Sequence, residues 1–356
     1  MRSFLQHQRQ RVWKTQRVAY LSGATSLAVL LFTANAATAT SCSQPYDVYQ
    51  ASAATKSACG VKDYPRQSAV TNADGSRAYS YDVYGLRTTF HIPPPSFDPR
   101  TATPAEIMQL GLPPQPPIDS AAYQRWVSML SNKQWVTPPP VLSSIPVTAN
   151  ETLSNWSGIE DTGGSYTDVY AGWNRPYDHG TRCSGNGALF WAGLGGDHGV
   201  SQLAQDGEGI NTQGLGQNQT WYQVLPTQQG GLVPINLYDN GGGLYAEVYL
   251  NSGGGGAAVF GFFMGSGNQS VEFTVGPING YNGNNAEVIA ERPTYNGSLP
   301  PLTNFGTFQV TGSALYGYPN HRIDMYNGSD LLATPSALFG SGGGSGSFND
   351  YQHQCL

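Results

Sequence analysis

Charge is what this sequence has least of. Only 11% of its 356 residues are Asp, Glu, Lys or Arg, about half the share usual in soluble domains. The shortage is uneven. Residues 1–150 hold 13 Lys and Arg against 7 Asp and Glu, whereas residues 151–356 hold four Arg, no Lys and 16 Asp and Glu, so +6 in the first part meets −12 in the second. So few cations exclude an electrostatic grip on nucleic acid or an anionic membrane. The same shortage suits acid, because few positive charges remain to repel one another once carboxylates protonate. Long apolar runs are missing too, and no stretch is long enough for a permanent membrane anchor. There is no Gly-x-Ser-x-Gly elbow, which argues against a serine hydrolase. The six His show no paired metal spacing, and Asp178-His179 and Asp197-His198 read as loop polar groups. No metal or cofactor is expected.

Cysteine is scarce but even in number: Cys42, Cys59, Cys183 and Cys355. In an exported chain this predicts two disulfides and excludes a thiol nucleophile. Three pairings are possible, and 42–59 with 183–355 keeps each bridge within one segment. A lipid-modified Cys42 is the lesser alternative, since the residues before it lack the expected Leu. Export is read from the N-terminus. Arg9, Arg11, Lys14 and Arg17 lead into the apolar run Leu27–Phe32, and Ala34-Asn35-Ala36 is a small-x-small cleavage site. Residues 1–36 are therefore expected to be a signal peptide, and the protein to be secreted. Six Asn-x-Ser/Thr sequons stand at Asn150, Asn155, Asn218, Asn268, Asn296 and Asn327.

Proline is abundant, and it is concentrated. His91-Ile-Pro-Pro-Pro95, Gly111 to Pro117 and Pro138-Pro-Pro140 exclude regular central strands and long helices there. Two short helices fit, one over Thr103–Leu110 with Pro near its start and Gly111 after its end, one over Ser120–Leu130. Residues 37–150 read as a propeptide wrapping the next domain, with too little apolar content for a core of its own. From Glu151 strand signals recur, at 166–173, 220–225, 244–250, 257–264, 271–275 and 286–291, with Gly/Asn turns between them. That pattern predicts an all-β sandwich or barrel over 151–356. Gly340–Ser347 is expected to be a flexible segment.

Two carboxylate signals need weighing. Asp161-Thr162-Gly163 matches the pepsin-like triplet, but that chemistry needs a second such Asp, and none exists; a turn is expected. Glu287 and Glu291 would share one strand face, yet four strand residues span roughly 13 Å, beyond the ~5–9.5 Å of glycosidase carboxylate pairs.

Four segments, in order, resemble the glutamic peptidases, the eqolisins. Ser154-Asn-Trp-Ser-Gly158 is similar to their opening S-N-W-x-G. Phe190-Trp-Ala-Gly-Leu-Gly-Gly-Asp197 through Gln202-Leu-Ala-Gln-Asp-Gly207 is similar to W-V-G-I-x-G-D followed by I-L-Q-T-G. Thr220–Pro226 is similar to A-W-Y-E-W-Y-P, and Ala286-Glu-Val-Ile-Ala-Glu291 to A-E-W-I-x-E. The resemblance covers roughly 154–293. It implies a concanavalin-like sandwich of two antiparallel sheets with the catalytic pair Gln205 and Glu291 on a concave face. Glu291 would take a proton from water, and the Gln205 amide would orient that water and hydrogen-bond the oxyanion. Trp191, Trp221, Asp197, Gln223 and Glu287 would line the substrate site, Glu287 as a structural acceptor. Gly195 stands where relatives carry an acid, Gln223 and Leu225 replace a Glu and a Tyr, and Val288 replaces an aromatic.

The expected protein is then a monomeric, secreted acid endopeptidase whose substrates are polypeptides and whose own propeptide inhibits it until acid releases it. Arg100, Arg125 and Lys133 are the candidate cations facing the domain. A lectin-like sugar-binding sandwich and a polysaccharide-degrading enzyme are the rival readings.

Overall fold

The structure is a computed structural model. It describes residues 51–131, 134–142, 147–148, 155–180, 187–197, 201–212, 218–228, 231–237, 243–251, 257–264, 269–278, 281, 283–295, 297–315, 321–336 and 345–355. The expected signal peptide, Cys42, Cys183, Lys133 and the junction near residue 150 lie outside them. Cys59 and Cys355 are both disulfide-bonded.

The N-terminal segment carries α1 (Ala53–Ala58), a meander of β1 (Arg66–Thr71), β2 (Arg77–Val83) and β3 (Leu86–Ile92), then α2 (Pro104–Gln109) and α3 (Ala121–Leu130). Both helices stand where the sequence placed them. Thr103 caps α2 with its hydroxyl on the Glu106 N–H while the Glu106 carboxylate reaches back to Thr103 N, and Ser120 caps α3. The meander was not expected; it lies before the prolines, where nothing interrupts a ladder. The remaining principal strands are β4 (Trp156–Thr162), β5 (Asp168–Asn174), β6 (Ala188–Gly195), β7 (Leu203–Ile210), β8 (Gln219–Leu225), β9 (Val233–Ile235), β10 (Gly243–Asn251), β11 (Ala257–Met264), β12 (Gln269–Gly276), β13 (Asn285–Glu291), β14 (Thr307–Leu315), β15 (His321–Ile323), β16 (Met325–Asn327), β17 (Asp330–Pro335) and β18 (Ser345–Gln352).

They make two antiparallel sheets. The first runs β9-β8-β7-β6-β13-β4-β15. The second runs β1-β2-β3-β12-β11-β10-β5-β14-β18-β17-β16, with the two-residue strand Gln134–Trp135 added in parallel on β12. Between them lies one core, including Trp173, Phe190, Tyr222, Phe260, Phe273 and Phe308. Strand alternation explains the division of labour. On β6, Ala188, Phe190, Ala192 and Leu194 face this core, while Leu189 and Trp191 belong to a second cluster on the opposite face.

The N-terminal segment is part of this architecture. Its β3 pairs with β12, from Glu272↔His91 to Gly276↔Arg87, and Tyr81, Val83, Leu86 and Phe90 enter the intersheet core. Helices α2 and α3, with the α2 cap residue Leu110, contribute Ile107, Leu110, Trp126, Met129 and Leu130 to a third cluster against Tyr245 of β10. Two expectations are corrected at the C-terminal end and at the pepsin-like triplet. The tail from Ser345 is strand β18, paired with β14 and β17, because Phe348 and Asp350 bury their side chains. Asp161 and Thr162 end strand β4 and only then does the chain turn.

Candidate active site

The site is built on the first sheet, on the face turned away from the second. Trp156 of β4, Leu189 and Trp191 of β6, Leu203 of β7, Trp221 of β8 and Ile289 of β13 cluster there, covered by Leu232 and Tyr295. The polar residues of this face sit among them. Gln205, Gln223, Glu287 and Glu291 are all fully buried in the full chain.

Register fixes their relative positions. Gln205 of β7 is opposite Gly193 of β6 on one side and Gln223 of β8 on the other. Glu287 of β13 is opposite the same Gly193, and Glu291 is opposite Leu189. Gln205 and Glu291 therefore share a face, one strand either side of β6, but are offset by four residues, about 13 Å at strand rise. Trp191 occupies the interval. A Cβ on Gly193 would lie 2.7 Å from Cζ3 of its ring, and its Nε1 donates to Glu291 Oε2 at 2.8 Å. The Trp156 ring meets it edge-on at 5.0 Å.

Glu291 also accepts from Asn155 Nδ2 at 3.4 Å. Burial pushes its carboxyl up to about 8, with the indoles of Trp191 and Trp156 pulling the other way. The Gln205 amide donates from Nε2 to Gln223 Oε1 at 2.9 Å. Asn285 Nδ2 bridges Glu287 Oε1 at 2.9 Å and Glu160 Oε1 at 3.0 Å. Glu160, which the sequence reading passed over, stands directly opposite Glu287 on β4. The signal that would have found it is the even spacing from Trp156, which puts both on one strand face. Asp197 lies in the turn after β6, half-buried.

The departure at Gly195 has a structural reason. Its φ is +89°, and a Cβ there would sit 2.0 Å from the carbonyl oxygen of Gln202, so this end of β6 admits no acidic side chain. Asn155 cannot carry a glycan in this fold, since its amide is fully buried between Glu291 and the Arg292 carbonyl.

The profile of the peptidase A4 family matches residues 154–329. That stretch belongs to the peptidase A4 family. It spans β4 to β16 and so holds the whole first sheet. Membership carries glutamic-type endopeptidase activity, hydrolysis of peptide bonds. No curated protein matches the chain. Among solved structures, scytalido-glutamic peptidase with a peptide-based transition-state analogue is 19% identical, over 55% of this chain and 97% of its own, at a TM-score of 0.44. SCP-B, a member of the eqolisin family in complex with the tripeptide Ala-Ile-His, is 18% identical over 55% and 97%, TM-score 0.43. Aspergilloglutamic peptidase from Aspergillus niger is 18% identical over 47% and 99%, TM-score 0.36.

Proposed function

We propose that this peptidase is a secreted, acid-acting endopeptidase made as a precursor, with Gln205 and a glutamate of β13 activating the attacking water: Glu291 by the family resemblance, or Glu287, which is level with Gln205. The observation that carries the reading is Glu291: a fully buried carboxyl held by the Trp191 indole on the face shared with Gln205. Ionised, it takes the proton of a water; protonated, it passes that proton to the leaving amine. Gln205 supplies one acceptor to orient the water and one donor for the oxyanion.

The precursor reading rests on the same carboxyl. With its titration near 8, Glu291 is protonated throughout acid and cannot act as a base while covered. Uncovering lets water reach it and lowers that value toward the ordinary carboxylate range. The two-residue strand Val147–Thr148 of the N-terminal segment pairs with Thr294–Tyr295, three residues past Glu291. Scission near residue 150 would free this cover. Pairings 42–59 and 183–355 are proposed for the disulfides, and a monomer for the assembly.

Register favours a second reading of the base. Glu287 is level with Gln205 across Gly193, which has no side chain. Proteolysis of a denatured protein at pH 3–4 separates the two. Glu291→Gln and Gln205→Ala should each lower kcat at least about 1,000-fold, while Glu287→Gln keeps measurable turnover. An active Glu291→Gln with a dead Glu287→Gln moves the base to Glu287. Hydrolysis of polysaccharide and not of protein would overturn the peptidase.

A further inference from the structure

We infer that Gln223 is a positioning residue that fixes which way round the Gln205 amide stands. The inference rests on the proposed role of Gln205. A primary amide is ambiguous, because a half-turn exchanges its donor and its acceptor with almost no change in shape. A residue that must offer an acceptor to water and a donor to an oxyanion works in only one of the two orientations.

The means of choosing is a relay that ends on a group unable to flip. Gln205 and Gln223 stand directly opposite on β7 and β8, and Gln205 Nε2 donates to Gln223 Oε1 at 2.9 Å. Gln223 Nε2 in turn donates to the main-chain carbonyl of Gln228 at 3.4 Å. Gln228 is itself anchored to β8: its Oε1 accepts from Val224 N at 2.7 Å, and its N–H donates to Val224 O at 2.7 Å. A carbonyl only accepts, so Gln223 must present its NH2 to it and its own carbonyl to Gln205. Gln205 must then turn its NH2 to Gln223. All three side chains are fully buried, so solvent offers no alternative partner. The outcome is visible at the far end: Gln205 Oε1 is buried with no hydrogen-bond partner among the described residues, an acceptor kept open, and one N–H of Nε2 remains.

The resembling family carries a Glu at this position. A carboxylate imposes the same orientation, but it titrates, and once protonated it can donate and turn Gln205 around. An amide imposes the orientation at any pH. The substitution therefore makes the alignment of Gln205 independent of acid, in the pH range where the enzyme is proposed to work.

The test compares acid-activated Gln223→Leu, Gln223→Glu and Gln205→Ala chains, reading kcat and KM from pH 2.5 to 6 and the unfolding temperature of each. Gln223→Leu should lower kcat about 10- to 100-fold with KM changed less than about threefold, the signature of a misaligned group. Gln223→Glu should recover kcat to within about threefold at the upper end of the range and lose it again in acid, an added limb that the natural protein lacks. Gln223→Leu with kcat within twofold of the natural chain, beside an inactive Gln205→Ala, overturns the inference and leaves the role of Gln205 standing. An active Gln205→Ala removes that role itself. Should Gln223→Leu fail to fold, the Gln223→Glu profile decides alone: no added limb overturns the inference.

Discussion

A Cβ on Gly207 would lie 2.0 Å from the Phe190 carbonyl oxygen and 2.7 Å from the Trp191 Cα. The absence of a side chain there lets β7 and β6 approach with Gln205 and Trp191 on one face. Gly207→Ala should therefore destabilise the chain by about 1–3 kcal/mol, as overpacking does, and lower activity as Gln205 shifts. Denaturant titration beside kcat checks it, and an unchanged midpoint would show that the strands have room. In the core beneath, one carboxylate is held on both oxygens. Arg175 Nε meets Glu208 Oε2 at 2.8 Å, and Trp173 Nε1 donates to Glu208 Oε1 at 2.6 Å. Removing one partner of such a pair strands the other in the core.

At the scale of elements, the N-terminal segment acts as strands and helices of the sandwich. Tyr222 of β8 and Thr88 of β3 share a 2.7 Å hydrogen bond inside the core, and Ser270 of β12 bonds the Met129 carbonyl at the end of α3. Full departure of the segment would expose Phe273 and Tyr222 and unpair the edge of β12, an aggregation-prone surface. Scission near residue 150 should therefore leave residues 51–142 attached. Size exclusion at pH 5 after scission should show the fragment co-eluting with the sandwich, and a freely separating fragment would refute this. Within the segment, Thr103→Ala should cost about 1 kcal/mol through the lost α2 cap.

For the whole molecule, the buried carboxyls set the pH response. Burial raises Asp206, Glu247 and Glu272 well above their ordinary values, Glu291 to about 8 and Asp350 to about 7. Neither oxygen of Glu272 has a hydrogen-bond partner among the described residues. A carboxyl raised by folding contributes its stability below the unfolded value, about 4, and loses it as pH climbs through the folded value. His91 opposes them. Half-buried at the segment's junction with Thr274, it is lowered by desolvation to about 4, so its contribution is present above about 6.5 and falls away as pH drops through 4. Five carboxyls outweigh one imidazole, and the unfolding temperature of the full chain should rise from pH 8 down to about pH 4.5. A maximum at neutral pH would contradict this. Glu247 and Glu272 share β10 and β12 with the contacts of the segment's helices, so mild acid tightens docking there, and the acid release expected from the sequence would need His91 protonation or scission.

The family was written in the sequence and the arrangement of the site was not. Alternation and turns announced strands at 220–225, 257–264 and 286–291 because a half-buried strand must alternate or run apolar. Four ordered motifs pointed to the family and so to Gln205 and Glu291 as the proposed pair, because a carboxyl can serve as acid and base and an amide as oxyanion donor. The caps at Thr103 and Ser120 were legible because a cap needs only neighbours three residues away. The meander over 66–92 escaped because its burial is supplied by β12, some 180 residues later in the chain, and no local pattern carries that. The strand at 345–352 escaped in the same way, since β14 and β17 and not its own glycines decide its conformation. Register, too, belonged to the tertiary structure. Only the pairing of β13 with β6 put Glu287 level with Gln205, Glu160 opposite Glu287, and the Trp191 indole against Glu291, because pairing is a choice between strands that the sequence of each alone leaves open.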